Sequence, residues 1–422
     1  MTRVRSAVRF AGWLLIGWLG AVPGAWPQQL PAADPDPQWI RVAVVQQEPA
    51  IDVAVSGRFR MVAVNAPLNE ASLLAPGAAG PLREGNRLPT LSIRAEGAGL
   101  RIGDEVVPVS SIVVQPVRDA TVSLNGQRLR GLVEIRRQDG STTLLVINHV
   151  ELEDYLRGVL SKEAPYQWPI EALKAIAVAA RTYAVFQRMT ADAATTHDVS
   201  GDVLSQVYGG RSAERSRTSR AVDETRGLIL TYQGQVFPAF YHSTCGGVTE
   251  RGTVMGLGPF DLEPLKGGLQ CSFCVDSPFF RWQRRLSKAD VAWAVKKLGR
   301  GSIWPVEAMR IAQYTATGRV AAVRIRGGGR TLDLSGHEFR QALGFSTLRS
   351  TGFAIIPEGD GFILQGRGWG HGVGLCQWGV AELARRGMTA KEILALYYPG
   401  ATLMRLGERV VKPVVVEQKT RR

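Results

Sequence analysis

The apolar residues of this chain change period near Val150. Between Ile40 and Val146 they alternate in short runs such as "IRVAVV", "LSIRA" and "LVEIRR", the period of half-buried strands. From about Val150 onward Leu152, Tyr155, Leu156, Val159 and Leu160 recur at helical spacing and form one face. A chain with that switch must set a β-rich part beside helices. Later strand-like runs, "VAAVRIRG" and "GFILQGR", return without a regular βαβ alternation, so the expected fold class is α+β.

Turn chemistry sharpens this reading. Asn125-Gly126 and Asp139-Gly140 each separate two apolar runs, and both pairs tolerate the positive φ of tight hairpins. The Ala, Pro and Gly-rich stretch from Leu74 to Pro89 reads as a loop. Pro165 stops the first helix. A second is expected from about Pro169 to Met189, with Leu173, Ile176, Ala177, Ala180 and Ala184 on one stripe. The stretch 227–241 reads as a hairpin around Gly234. Ser335 with Glu338, and Thr389 with Glu392, have capping-box spacing and should open two further helices, the last stopped by Pro399-Gly400.

At the N-terminus, Arg3, Arg5 and Arg9 precede an apolar run from Phe10 to about Val22. That is the layout of a secretory signal, with an uncleaved membrane anchor as the alternative; the run falls short of the about 20 residues of a full span. The expected organisation is a signal or anchor over 1–27, a Pro and Asp linker over 28–39, a β-rich region over 40–146, a mixed helix and strand domain over 147–405, and a basic tail over 406–422. With 51 Lys and Arg against 37 Asp and Glu, the formal charge of +14 favours anionic partners. Export argues against nucleic acid and leaves membrane surfaces, wall polymers or extracellular ligands.

Glu163, in "SKEAPYQWP", is the first candidate for chemistry. As a lone glutamate it reads as a solvated side chain in a last helical turn. Tyr166 and Trp168 could instead wall off its carboxyl and raise its pKa, as a general acid needs, while the N-terminus of the next helix would lower it. On that next helix Lys174 and Arg181 lie about two turns apart and share a face with Glu171. This is either a solvated charged stripe or a platform on which Arg181 and Lys174 receive a substrate carboxylate. His371 lies in "GRGWGHGVG", where alternate glycines permit close backbone approach, and is either a cleft residue or a satisfied core histidine. His242, Ser243 and Cys245 sit at a strand end, without the G-x-S-x-G elbow of a hydrolase.

The chain has four cysteines. Cys271-x-x-Cys274 is a metal-type spacing, and Cys245 with either Cys376 or His242 would complete the ligands of a structural zinc. Two disulfides are the rival, which an exported compartment would allow.

Together, "LEDYLRGVLSKEAPYQWPIEALKAIAVAARTYAV", "SQVYGG", "AVDETRGLILTYQGQVFPAFYHSTCGGVTE" and "GRGWGHGVGLCQWGVAELARRGMTAKEILALYYPGATL" resemble the SpoIID/LytB family of sporulation and cell-wall proteins, over about Ile147 to Leu403. The resemblance implies an exported lytic transglycosylase that cleaves MurNAc-GlcNAc strands of peptidoglycan stripped of stem peptides, leaving 1,6-anhydro ends. It implies Glu163 as catalytic acid and a functional role for Lys174 and Arg181. Gln206, Tyr208, His242, Ser243, His371 and Gln377, in the matching blocks, are candidate substrate-binding residues. No cofactor is expected for catalysis. Some members bind zinc near the "HST" segment; here Cys376 stands where the family often has serine, which leaves the fourth ligand open. The alternative role is a non-catalytic wall-binding protein or amidase enhancer, with an N-acetylmuramoyl-L-alanine amidase as partner.

Overall fold

The computed structural model describes residues 39–64, 81–192, 195–201, 206–254, 257–258, 260–408 and 412–414. The expected signal and most of the linker lie outside these residues, as does the first part, 74–80, of the loop expected over 74–89. The part of that stretch that is described is strand at Arg83–Gly85 and again from Leu88.

The β-rich part forms two sheets. In the larger, Trp39–Glu48 pairs antiparallel with Leu144–Glu151, and sheet order then runs through Leu132–Arg137, Ser111–Pro116 and Phe59–Val64 to Arg83–Gly85. The second sheet joins Ala50–Val55 to Leu88–Glu96 and to the hairpin of Val122–Leu124 with Gln127–Leu129. Its turn is the expected one: Asn125 and Gly126 both have positive φ, 48° and 82°. The strand Leu144–Glu151 runs across the expected division between 146 and 147, and one apolar core is shared by both sheets and the helices that follow.

The first helix, Leu152–Glu163, buries its whole predicted face. It ends where Ala164 turns extended, because the residue before a proline is disfavoured in the helical region. After a short turn the long helix Ile170–Thr190 begins, one residue later than expected, with Pro169 as its cap. It does not have one apolar stripe opposite a charged one. Its many alanines let it be buried on nearly all sides, against the first helix, the helix Ser216–Glu224, the strand Leu228–Tyr232, and the helices Gln377–Arg385 and Ala390–Tyr397. The hairpin at Gly234 forms with strands Leu228–Tyr232 and Gln235–Val236, and the expected capping boxes close at Ser335 and Thr389. Lys412–Pro413, in the expected tail, adds a short parallel strand to Gln235–Val236.

A second apolar core, from Trp282 to Leu364, stands apart within the later part of the chain. There Arg281–Ser287, Gly361–Arg367 and Phe353–Glu358 form one antiparallel sheet, and Val306–Tyr314, Val320–Gly327 and Arg330–Ser335 form another. Two helices, Lys288–Lys297 and Gly336–Leu343, pack on each other beside them.

Candidate active site around Glu163

Glu163 is the last residue of the first helix, so its side chain projects from the point where the chain leaves that helix for the next. The residue is half-buried and its carboxyl is the enclosed end. The backbone N–H of Val207 donates to Oε1 at 3.0 Å, and Gln377 Nε2 donates to Oε2 at 3.1 Å. Both bonds favour the carboxylate, yet burial outweighs them and raises the pKa above its ordinary value. Among the described residues, neither a cation nor a second carboxylate bears on its pKa.

The enclosure differs from the one expected. Tyr166 is 49% exposed and Trp168 packs edge-on against Trp378, with ring centroids 5.4 Å apart. Buried hydroxyls of Tyr155 and Tyr241 lie instead within electrostatic reach of Glu163; burial holds both phenols protonated, and the Glu163 charge adds to it. Gln206 bridges these two tyrosines. It accepts from Tyr155 Oη at 2.8 Å and donates to Tyr241 Oη at 2.8 Å and to the Ala180 carbonyl at 3.1 Å. Those bonds satisfy a fully buried amide and fix the next residue, Val207, whose N–H meets Glu163. Gln206, expected among the substrate ligands, thus has its amide spent on internal partners.

Other expected substrate ligands move in the same direction. Arg181 is completely buried: Nε and Nη2 grip the Glu153 carboxylate at 2.9 and 2.7 Å, and Nη1 donates to the Leu228 carbonyl at 3.1 Å. Its fork, expected to receive a substrate carboxylate, is closed here on an internal one. Lys174 binds Glu171 at 2.9 Å and Glu224 at 2.6 Å, while Glu171 accepts from the Ala390 N–H, so Lys174 ties three helices together. Tyr208 is buried over Gly158, where a Cβ would come within 2.6 Å of its ring, and donates to Asn148 Oδ1 at 2.9 Å.

His371 accepts from the Val373 N–H at Nδ1 and donates from Nε2 to the Tyr241 carbonyl, each at 3.0 Å; burial holds its pKa well below normal, so the ring is neutral. It therefore braces the backbone that carries Tyr241. Its neighbour His242, 5.4 Å away between ring centroids, donates from Nδ1 to the Val373 carbonyl and is depressed to about 3 by burial. His242 Nε2 is buried and has no hydrogen-bond partner among the described residues. Ser243 is half-buried, and its carbonyl accepts from the Trp378 N–H at 3.1 Å. Of the sequence candidates, the structure brings Gln377 directly to Glu163, and Gln206 and His371 indirectly.

The four cysteines are free, buried and gathered, with all Sγ atoms within 4.8 Å of one another. Tyr241–His242 runs parallel to Leu375–Cys376, which carries Cys376 towards Cys245. The Cys245 N–H points at Cys376 Sγ at 3.2 Å, and Tyr397 Oη lies 3.1 Å from Cys271 Sγ. The fourth member of the cluster is thus Cys376, and His242 is not among the grouped ligand atoms.

Sequence reasoning missed the Val207 amide, Tyr155 and Tyr241 as parts of this site. Tyr155 was legible only as a core position, and a backbone amide has no side-chain signature.

A family model described as stage II sporulation protein, SpoIID, matches residues 140–232, and one for a domain of unknown function, DUF8618, matches 271–374. The chain is 32% identical over 319 residues to an uncharacterized protein of Brachyspira hyodysenteriae, covering 75% of this chain and 82% of that one. It is 28% identical to stage II sporulation protein D of Bacillus subtilis over 61% of this chain and 75% of that protein. To the amidase enhancer of Bacillus subtilis it is 26% identical over 74% of this chain, but it spans only 48% of that longer protein. The blocks around Glu163 and these matches agree: the chain belongs to the SpoIID/LytB family.

Proposed function

We propose that this is a cell-envelope protein that cleaves the glycan strands of peptidoglycan as a lytic transglycosylase, with Glu163 as its one catalytic residue. The observation that carries this reading is an enclosed carboxyl with a raised pKa, held by the Val207 N–H and Gln377, with no second carboxylate bearing on it among the described residues. Most glycosidases need two carboxyl groups, the second serving as a nucleophile or activating water. A reaction whose nucleophile is the sugar's own hydroxyl needs one.

In the proposed reaction protonated Glu163 gives its proton to the oxygen linking N-acetylmuramic acid to N-acetylglucosamine, and that C–O bond breaks. The resulting carboxylate takes the proton of the muramic acid C6 hydroxyl as its oxygen attacks C1. A 1,6-anhydro ring forms, a free hydroxyl leaves on the other sugar, and Glu163 ends protonated as it began. Acid-base help of this kind contributes roughly 10²–10⁴-fold. Glu163→Gln tests the assignment on purified peptide-free strands: release of anhydro-sugar ends should fall by at least that range, and undiminished release would remove Glu163 from the chemistry.

Similarity to a protein named amidase enhancer supports a second reading, in which the chain binds wall and assists an amidase without cleaving. It predicts no product from wild type. Among the described residues no helix is long and apolar enough to cross a membrane; we place the protein outside the cytoplasm on the Arg-flanked apolar run at its N-terminus.

We also propose that the cysteines hold a structural zinc. Four thiols fit a tetrahedral ion, since zinc–sulfur bonds of about 2.3 Å place sulfurs roughly 3.8 Å apart. The described sulfurs lie within 4.8 Å, and a backbone N–H already points at one of them. Four protein ligands leave no open position, so the metal would hold together the loop at 271–274, the strand end at Cys245 and the start of the helix that presents Gln377.

A further inference from the structure

On the sheet built on the second core, Arg281 lies directly opposite Arg367, and Gln283 directly opposite Gln365. All four side chains are exposed on one face, while the intervening Trp282 and Gly366 face the core. These residues and the half-exposed Tyr314 line a cavity of about 630 Å³.

Like charges directly opposite across two strands destabilise a sheet. Elsewhere on the two sheets of this core, strand arginines have acidic partners: Arg285 pairs with Glu358 on the same sheet, and Arg324 with Asp333 and Arg326 with Glu307 on the other. Among the described residues neither Arg281 nor Arg367 makes an ion pair, and the Arg281 guanidinium carbon lies 5.9 Å from the centre of the Phe280 ring. Two unpaired guanidinium groups at one register position, in a cavity with two amides and a phenol, form a site for a planar anion on a hydroxyl-rich molecule.

We propose that this groove is a non-catalytic subsite for a carboxylate-bearing sugar: the lactyl carboxylate of peptide-free muramic acid sits on Arg281 and Arg367, while Gln283 and Gln365 bond sugar hydroxyl or amide groups. The proposal rests on the glycan reading above and moves carboxylate recognition away from Arg181. It also assigns a role to the stretch matched by the domain of unknown function, 271–374.

The test measures equilibrium binding of the full chain, carrying Glu163→Gln to prevent turnover, to peptide-free glycan strands and to chitin oligosaccharides, which share the backbone sugars but lack the lactyl carboxylate. The parent should prefer the carboxylated strands. Adding Arg281→Ala with Arg367→Ala should cost about tenfold to hundredfold in affinity for them, with chitin binding unchanged. A retained preference would overturn the subsite. Arg281→Glu supplies a second readout, because it pairs with Arg367 and fills the anion's place: it should lose the preference while melting at or above the parent's temperature. A lower melting temperature would contradict the claim that the pair lacks a partner. Product analysis separates this proposal from the catalytic one: binding that depends on the arginines without any wild-type product leaves the subsite standing and removes the lytic reading. Product with an unchanged preference in the double variant does the reverse.

Discussion

Gln377 Nε2 donates to Glu163 Oε2 at 3.1 Å across a sequence separation of 214 residues. The bond ties the end of the first helix to the start of the helix Gln377–Arg385, and it stabilises the charged form of Glu163. Gln377→Leu should therefore raise the Glu163 pKa further. In a pH–rate profile the loss of activity on the alkaline side, where the acid loses its proton, should move upward by up to about one unit, the worth of a single hydrogen bond. A shift towards acid would contradict the assignment of Gln377.

Burial of Glu163 also has a consequence for folding. Its folded pKa is raised above the unfolded one, so between the two values the folded state binds the extra proton. Its contribution to stability is full below the unfolded value and falls as pH rises through the folded one. Glu163→Gln should consequently unfold at a higher denaturant concentration than wild type at pH 7, and the difference should vanish near pH 4. An equal gap at both pH values would mean that the variant acts through something other than the proton.

Arg181 and Glu153 make a prediction opposite to that of a substrate-binding pair. Arg181→Met leaves a buried carboxylate without its partner and should cost about 3–5 kcal/mol, read by urea unfolding. Adding Glu153→Leu should recover much of that loss. Unchanged stability with weakened glycan binding would return Arg181 to the substrate.

Metal analysis of the purified protein should find zinc bound by the four cysteines, and removal with a strong chelator should lower the melting temperature. Cys376→Ser should do the same, and because that residue adjoins Gln377 it should also reduce activity. A metal-free protein with the same melting temperature would leave the cluster as four packed thiols.

The elements that depend on near neighbours were legible in the sequence. The face from Leu152 to Leu160, the Asn125-Gly126 turn, the hairpin at Gly234 and the capping boxes at Ser335 and Thr389 each rest on spacings of a few residues, and each forms. A further box, Ser287 with Asp290, was not legible, because its cap is also the last residue of a strand. What spacing could not reveal was how long-range pairing redirects side chains. Arg181 shares a helical face with Lys174, but its partner Glu153 lies on another helix, and the two close on each other. Tyr166, beside Glu163 in sequence, points to solvent, while Tyr241, from a distant strand, lies near its carboxyl. The cross-strand pairing of Arg281 with Arg367 depends on a register that neither strand carries alone.

In the proposed reaction one enclosed carboxyl breaks the glycan with no second acid and no water. Mass spectrometry of the products from peptide-free strands tests it most directly. Wild type should form chains ending in 1,6-anhydro-muramic acid, each lighter by one water than the hydrolysis product, and Glu163→Gln should not. Reducing ends that have gained water, or no cleavage by wild type at all, would contradict it.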